Sequence, residues 1–140
     1  MKTQRIYLIP FTEEAAVSLG HRDHLELDKF PFRFGRESRR KKAGDTPLYR
    51  DRRRPGCRPN NDFYLFDLGK YLNISREHFQ IDRVDEKYYI SDRGSTCGTI
   101  INSRVSLKDA PGKRHELQHG DTITVGKPDS RYIYTLTISS

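Results

Sequence analysis

Ser75-Arg76-Glu77-His78-Phe79-Gln80-Ile81-Asp82-Arg83-Val84 decides how this chain is read. From His78 onward apolar and polar residues alternate, which is the period of a half-buried strand and not of a helix. Asp85-Glu86 then turns the chain into a second strand, Lys87-Tyr88-Tyr89-Ile90-Ser91-Asp92. The same pattern extends in both directions. Upstream lie Arg5 to Phe11, His24 to Asp28, a run in which Phe30, Phe32 and Phe34 alternate, and the short apolar run Asp62 to Asp67. Downstream lie Gly98 to Asn102, Asp121 to Gly126 and Tyr132 to Ile138. Some nine to eleven short strands with turn residues between them predict two packed sheets. One helix is expected, over Thr12 to Leu19, with Thr12 as its cap and Glu13 and Glu14 in its first turn.

Length and charge narrow the reading. The 140 residues suit one domain, 1–140, with a single hydrophobic core. Ile6 to Phe11 is too short for a signal-peptide core, and no apolar run reaches the roughly 20 residues that span a bilayer. The expectation is a soluble, cytoplasmic protein without membrane contact. Cys57 and Cys97 could pair, but two cysteines are equally ordinary in a reduced compartment. Of 26 Lys and Arg, nine fall between Ser38 and Asn61, against only Asp45 and Asp51. That stretch therefore accounts for the whole net charge of +7. With Pro47, Pro55, Pro59, Gly44 and Gly56 and little apolar content, it reads as a long flexible loop.

Three segments far apart in the chain carry chemistry: Phe34-Gly35-Arg36, Ser75 to His78, and Ser95-Thr96-Cys97-Gly98-Thr99-Ile100-Ile101-Asn102. Each sits where a predicted strand gives way to a turn. They supply one guanidinium, a hydroxyl beside a second guanidinium, and a glycine-containing turn with polar flanks. A phosphate dianion needs those groups: fork-shaped donors, short hydroxyl donors and close backbone approach. In order and spacing the segments resemble the signature of the forkhead-associated (FHA) domain, and the resemblance runs from about residue 5 to 138. Glu116 to Gly126 resembles a further family segment, with Gly120-Asp121 making a turn and Ile123 and Val125 facing the core.

The resemblance implies an all-β sandwich of two twisted, mainly antiparallel sheets, with the basic loop (38–61) joining the third and fourth strands at the phosphopeptide end. It implies a non-catalytic module that binds phosphothreonine peptides. Carried over residue by residue, the ligands are Arg36, Ser75, Arg76, Thr96 and Cys97, supported by Gly35, His78, Gly98 and Asn102. The Arg36 head group is expected at the surface. Cys97 departs from the family, which usually has asparagine there. A thiol offers one weak donor where an amide offers two donors and an acceptor, so the grip on the peptide main chain is expected to be weaker. Asn102 is expected to stabilise a turn.

Other chemistry is weaker. A Ser75–His78 nucleophile and base has no Gly-x-Ser-x-Gly elbow and no third member. The five histidines show no metal spacing with either cysteine, and no cofactor is implied. The expected partner is a phosphothreonine protein made by a Ser/Thr kinase, an adaptor role in signalling. Two alternatives come from other classes: a scaffold that binds protein without phosphate, and nucleic-acid binding through the basic insert. The insert has only Tyr49 as an aromatic, so nonspecific, salt-sensitive contact is the stronger form of that alternative.

Overall fold

The alternation places one side of each strand in a shared core. The computed structural model describes residues 4–37 and 60–139, and among these it has eleven strands and one short helix. The strands are β1 (Arg5–Pro10), β2 (Leu25–Glu26), β3 (Phe32–Arg36), β4 (Phe63–Leu65), β5 (Phe79–Val84), β6 (Lys87–Asp92), β7 (Thr99–Ile101), β8 (Val105–Ser106), β9 (His115–Leu117), β10 (Thr122–Val125) and β11 (Ile133–Ser139). One sheet has the order β2-β1-β11-β10-β7-β8 and the other β4-β3-β5-β6-β9. Helix α1 (Glu13–Ser18) starts as its sequence requires: the Thr12 side chain accepts from Ala15 N at 3.2 Å, and Glu13 and Glu14 fill the first turn.

The facing sides close on Ile6, Leu8, Phe32, Phe34, Phe79, Ile81, Ile90, Ile101, Ile123, Val125, Tyr134 and Leu136, all buried. Phe34 and Phe79, the chain neighbours of Gly35 and His78, stack in this core with ring centroids 4.5 Å apart. At the β5–β6 turn Asp85 and Glu86 both take positive φ, 50° and 69°, the two-residue geometry that matches strand twist.

The structure refines the sequence reading at three points, the first of them within the expected mainly antiparallel sheets. Strand β4 runs parallel to β3, with Phe34 opposite Phe63 and Arg36 opposite Leu65, whereas every other pairing among the described residues is antiparallel. The run Asp62 to Asp67 shortens to three strand residues because both its acids turn to other work. Asp62 Oδ2 accepts from Arg33 N at 2.8 Å, and Asp67 organises the loop that follows. The basic stretch spans 38–61 in the sequence. Residues 38–59, Cys57 among them, lie outside the described residues, while Asn60 and Asn61 are packed into the site described next.

Candidate functional site

The three sequence segments converge at one end of the sandwich. At the end of β3, Arg36 N donates to Ser75 O at 2.9 Å and Arg36 Nη1 donates to Ile74 O at 2.9 Å. The segment 74–76 therefore lies across the strand end. Arg36 is only 6% exposed, so the expected surface position is wrong. Its guanidinium is held to the Ile74 carbonyl, a buried positive charge beside the segment that carries Ser75.

Gly35 explains how that segment comes so close. A Cβ on Gly35 would penetrate the Arg76 carbonyl oxygen and would stand 2.6 Å from Asn61 Oδ1. Only a hydrogen fits there. The Asn61 amide Nδ2 donates to the same Arg76 carbonyl at 2.7 Å, which pins the segment from its other side.

His78 joins the second segment to the third. Its Nδ1 accepts from Ser75 N at 2.9 Å, and Nε2 lies 2.7 Å from Gly98 O. The Gly98 carbonyl can only accept and the Ser75 amide can only donate, so the ring is neutral with its proton on Nε2. Both nitrogens face backbone groups and neither serves the Ser75 hydroxyl, which removes the geometry of a nucleophile and its base. Burial is the main force pushing the His78 pKa below its ordinary 6.5, opposed by the Gly98 carbonyl.

That shift has a predictable sign. Below pH 6.5 the unfolded chain takes up a proton at this position that the folded protein resists, so stability is lost as pH falls. Protonation would also set Nδ1–H against the Ser75 N–H. Urea unfolding midpoints should be level above pH 6.5 and fall from there towards pH 5. In His78→Gln that part of the slope should vanish; an unchanged slope would assign the acid sensitivity to other groups.

The Ser75 hydroxyl is set by the third segment. Thr96 N donates to Ser75 Oγ at 2.9 Å, so the hydroxyl proton of Ser75 is left to donate elsewhere. Thr96 itself is exposed, with its amide committed to Ser75 and its hydroxyl on the surface. The turn is built by Asp92, which was not singled out in the sequence. Its Oδ1 accepts from Gly94 N and Ser95 N at 2.8 and 2.7 Å, and its Oδ2 from Ser95 Oγ and Thr99 Oγ1 at 2.6 and 2.9 Å. Ser95 Oγ in turn accepts from Gly98 N at 2.9 Å. The signal was present, since Asp92-Arg93-Gly94-Ser95 is an Asp-led turn with a glycine two residues on.

Arg93 was also missed. It donates from Nη1 to Asn61 Oδ1 at 2.6 Å and from Nη2 to Asn60 O at 2.7 Å, and Nη2 lies 3.6 Å from Glu77 Oε1. Asn60 N completes the ring of contacts by donating to Glu77 Oε2 at 2.9 Å. The ion pair itself contributes only about 0–1 kcal/mol because Glu77 is well exposed. Its value is positional: it fixes Asn61 against Arg76. Cys97 Sγ lies 3.6 Å from Leu72 O, so the thiol faces the loop before Ser75. Asn102 stands apart from this cluster. At φ 54° it accepts from Thr122 N at 2.9 Å and donates to Asp121 Oδ1 at 3.0 Å, bracing the opposite end of β7 from Gly98.

Residues 50–126, more than half of the chain, match the family model described as the FHA domain. The chain belongs to the FHA domain family. A curated relative, protein FraH of Nostoc sp., is 45% identical over 66 residues, which is 45% of this chain and 22% of FraH. The match thus spans about a fifth of that longer protein. Among solved structures, full-length yeast Pml1p is similar over 98% of this chain and 83% of its own, with a TM-score of 0.60 at 17% identity. The N-terminal FHA domain of S. cerevisiae Rad53p, solved with a phosphothreonine peptide, is similar over 96% of this chain and 91% of its own, with a TM-score of 0.55 at 22% identity. At these identities the structural likeness speaks for the FHA fold. Within that fold, Arg36, Ser75, Arg76 and Thr96 stand together at one end, with Gly35, His78 and Gly98 as their frame.

Proposed function

We propose that this FHA domain recognises phosphothreonine peptides without catalysis and acts as a signalling adaptor, its partner a phosphothreonine substrate of a Ser/Thr kinase. The observation that carries this reading is the state of Ser75. Its hydroxyl is oriented by the Thr96 amide and keeps a proton to give, in a segment whose Ile74 carbonyl holds the buried Arg36 guanidinium and whose next residue is Arg76. An acceptor-rich dianion suits that arrangement: phosphothreonine carries about −1.5 to −2 charges and three acceptor oxygens. The Rad53p domain, solved with a phosphothreonine peptide, supports the ligand class. Hydrogen bonds to a charged group contribute about 1.5–3 kcal/mol each. After the entropy of association, micromolar affinity, about −8 kcal/mol, is the expected scale.

Competition separates this from the other classes. A labelled phosphothreonine peptide bound to the protein should be displaced by the same unlabelled phosphopeptide, and not by its unphosphorylated twin or by duplex DNA. Displacement by the twin would make the domain a phosphate-independent scaffold. Displacement by DNA at physiological salt would move the activity to the basic stretch.

A further inference from the structure

The loop between β4 and β5 presents apolar side chains to solvent from a rigid frame. Leu68 is 70% exposed, Tyr71 76% and Phe66 41%, so three of the six exposed large hydrophobic residues among those described fall within six positions. Loops that expose such residues are commonly loose; this one is tied down. The buried Asp67 carboxylate accepts from Gly69 N at 3.0 Å, Asn73 N at 2.7 Å and Ile74 N at 3.0 Å, and from the Tyr132 hydroxyl at 2.9 Å. Burial and the Asp67 charge push the Tyr132 phenol up to about 12, which keeps it a donor. Farther along, Asn73 Oδ1 accepts from Lys127 N at 3.2 Å, and the Lys70 ammonium lies 5.6 Å from the Tyr71 ring centre. Folding gains nothing from leaving Leu68 and Tyr71 in water. Holding them still lowers the entropy lost when something covers them.

The same loop runs directly into Ser75. We infer that Leu68 and Tyr71 form a specificity-determining apolar contact for the phosphopeptide, selecting ligands with a large apolar residue close to the phosphothreonine. The inference rests on the phosphopeptide reading above. Tyr71 precedes Ser75 by four residues, at most about 14 Å of chain, and an extended peptide covers that distance in about four residues. A second copy of this chain fits less well. Leu68 and Tyr71 together offer at most about 400 Å², half of the roughly 800 Å² that each partner gives to a stable interface.

The test uses two series of phosphothreonine peptides on an alanine background. One carries a single Leu or Phe moved through four positions on each side of the phosphothreonine; the other keeps alanine throughout. Fluorescence anisotropy on the wild-type protein should show one register in which the apolar residue tightens binding about five- to tenfold. Leu68→Ser/Tyr71→Ser should lose that increment and keep its affinity for the all-alanine phosphopeptide. No favoured register, or the same increment in the variant, overturns the inference while leaving phosphopeptide binding intact. If neither series binds better than its unphosphorylated twin, the functional reading fails and the inference with it. Size-exclusion chromatography of both proteins closes the remaining route: a wild-type dimer that the substitutions dissociate would assign the patch to self-association and overturn the peptide contact.

Discussion

Arg36→Ala should weaken phosphothreonine-peptide binding by at least about 2 kcal/mol, some 30-fold, and should also destabilise the fold. The two effects have separate causes. A buried guanidinium held to the Ile74 carbonyl puts fixed positive charge beside the Ser75 segment, in a setting that water screens poorly, and the proposed dianion would draw on it. It also donates to Ile74 O from a position 6% exposed, so removing it leaves a buried carbonyl short of a donor and a gap at the end of β3. That loss is worth about 1–3 kcal/mol. Had the head group been at the surface, as the Gly-Arg pair suggests, stability would scarcely change. Arg36→Lys separates the contributions: it keeps the charge, loses the planar fork, and should fall between the two in affinity. Calorimetry with one phosphopeptide and urea unfolding of all three proteins decide the matter. Equal affinity for wild type and Arg36→Ala would remove Arg36 from the site, and equal stability would contradict its burial.

What the sequence made legible follows from the range of the forces involved. Alternation is local, so the strands built on Phe32 and Phe34, Phe79 and Ile81, and Ile123 and Val125 were readable, and so was the Thr12 cap. Strands β8 and β9 have two and three residues, too short for any period to show. The parallel direction of β4 is set by the long connection from β3, which no local pattern encodes. Arg36 is buried by a segment 38 residues away, and Asn61 is fixed by an arginine 32 residues further on. Two adjacent asparagines after a Pro- and Arg-rich run read as loop, and only tertiary contact makes them part of the site. The convergence of the segments around Arg36, Ser75 and Thr96 was legible because motif order carried it. The frame that orients it, Asp92, Arg93 and Asp67, depends on buried polar pairing that composition does not reveal.

Gly35→Ala is the substitution expected to damage this end of the fold most, although it adds a single methyl group. Most strand glycines tolerate alanine, and Gly35 does not have the positive φ that would forbid a side chain on backbone grounds. The obstacle is the Arg76 carbonyl, which lies where the Cβ would go, with the Asn61 amide beside it. A flexible side chain could swing away; a backbone carbonyl can move only with the segment that carries Ser75 and leads into His78. Displacing that segment strains the Arg36 N to Ser75 O and Ser75 N to His78 Nδ1 bonds together. Overpacking of this kind costs up to about 3 kcal/mol, and affinity should fall further because the Ser75 hydroxyl moves relative to Thr96. Gly35→Ala/Asn61→Gly distinguishes the two neighbours. It removes the movable obstacle and leaves the carbonyl, so neither stability nor phosphopeptide affinity should recover. Recovery in the double variant would show that Asn61 alone set the limit. A Gly35→Ala protein within about 0.5 kcal/mol of wild type, still binding phosphopeptide normally, would mean that the segment can stand off from β3 and that close approach at Gly35 does not build the site.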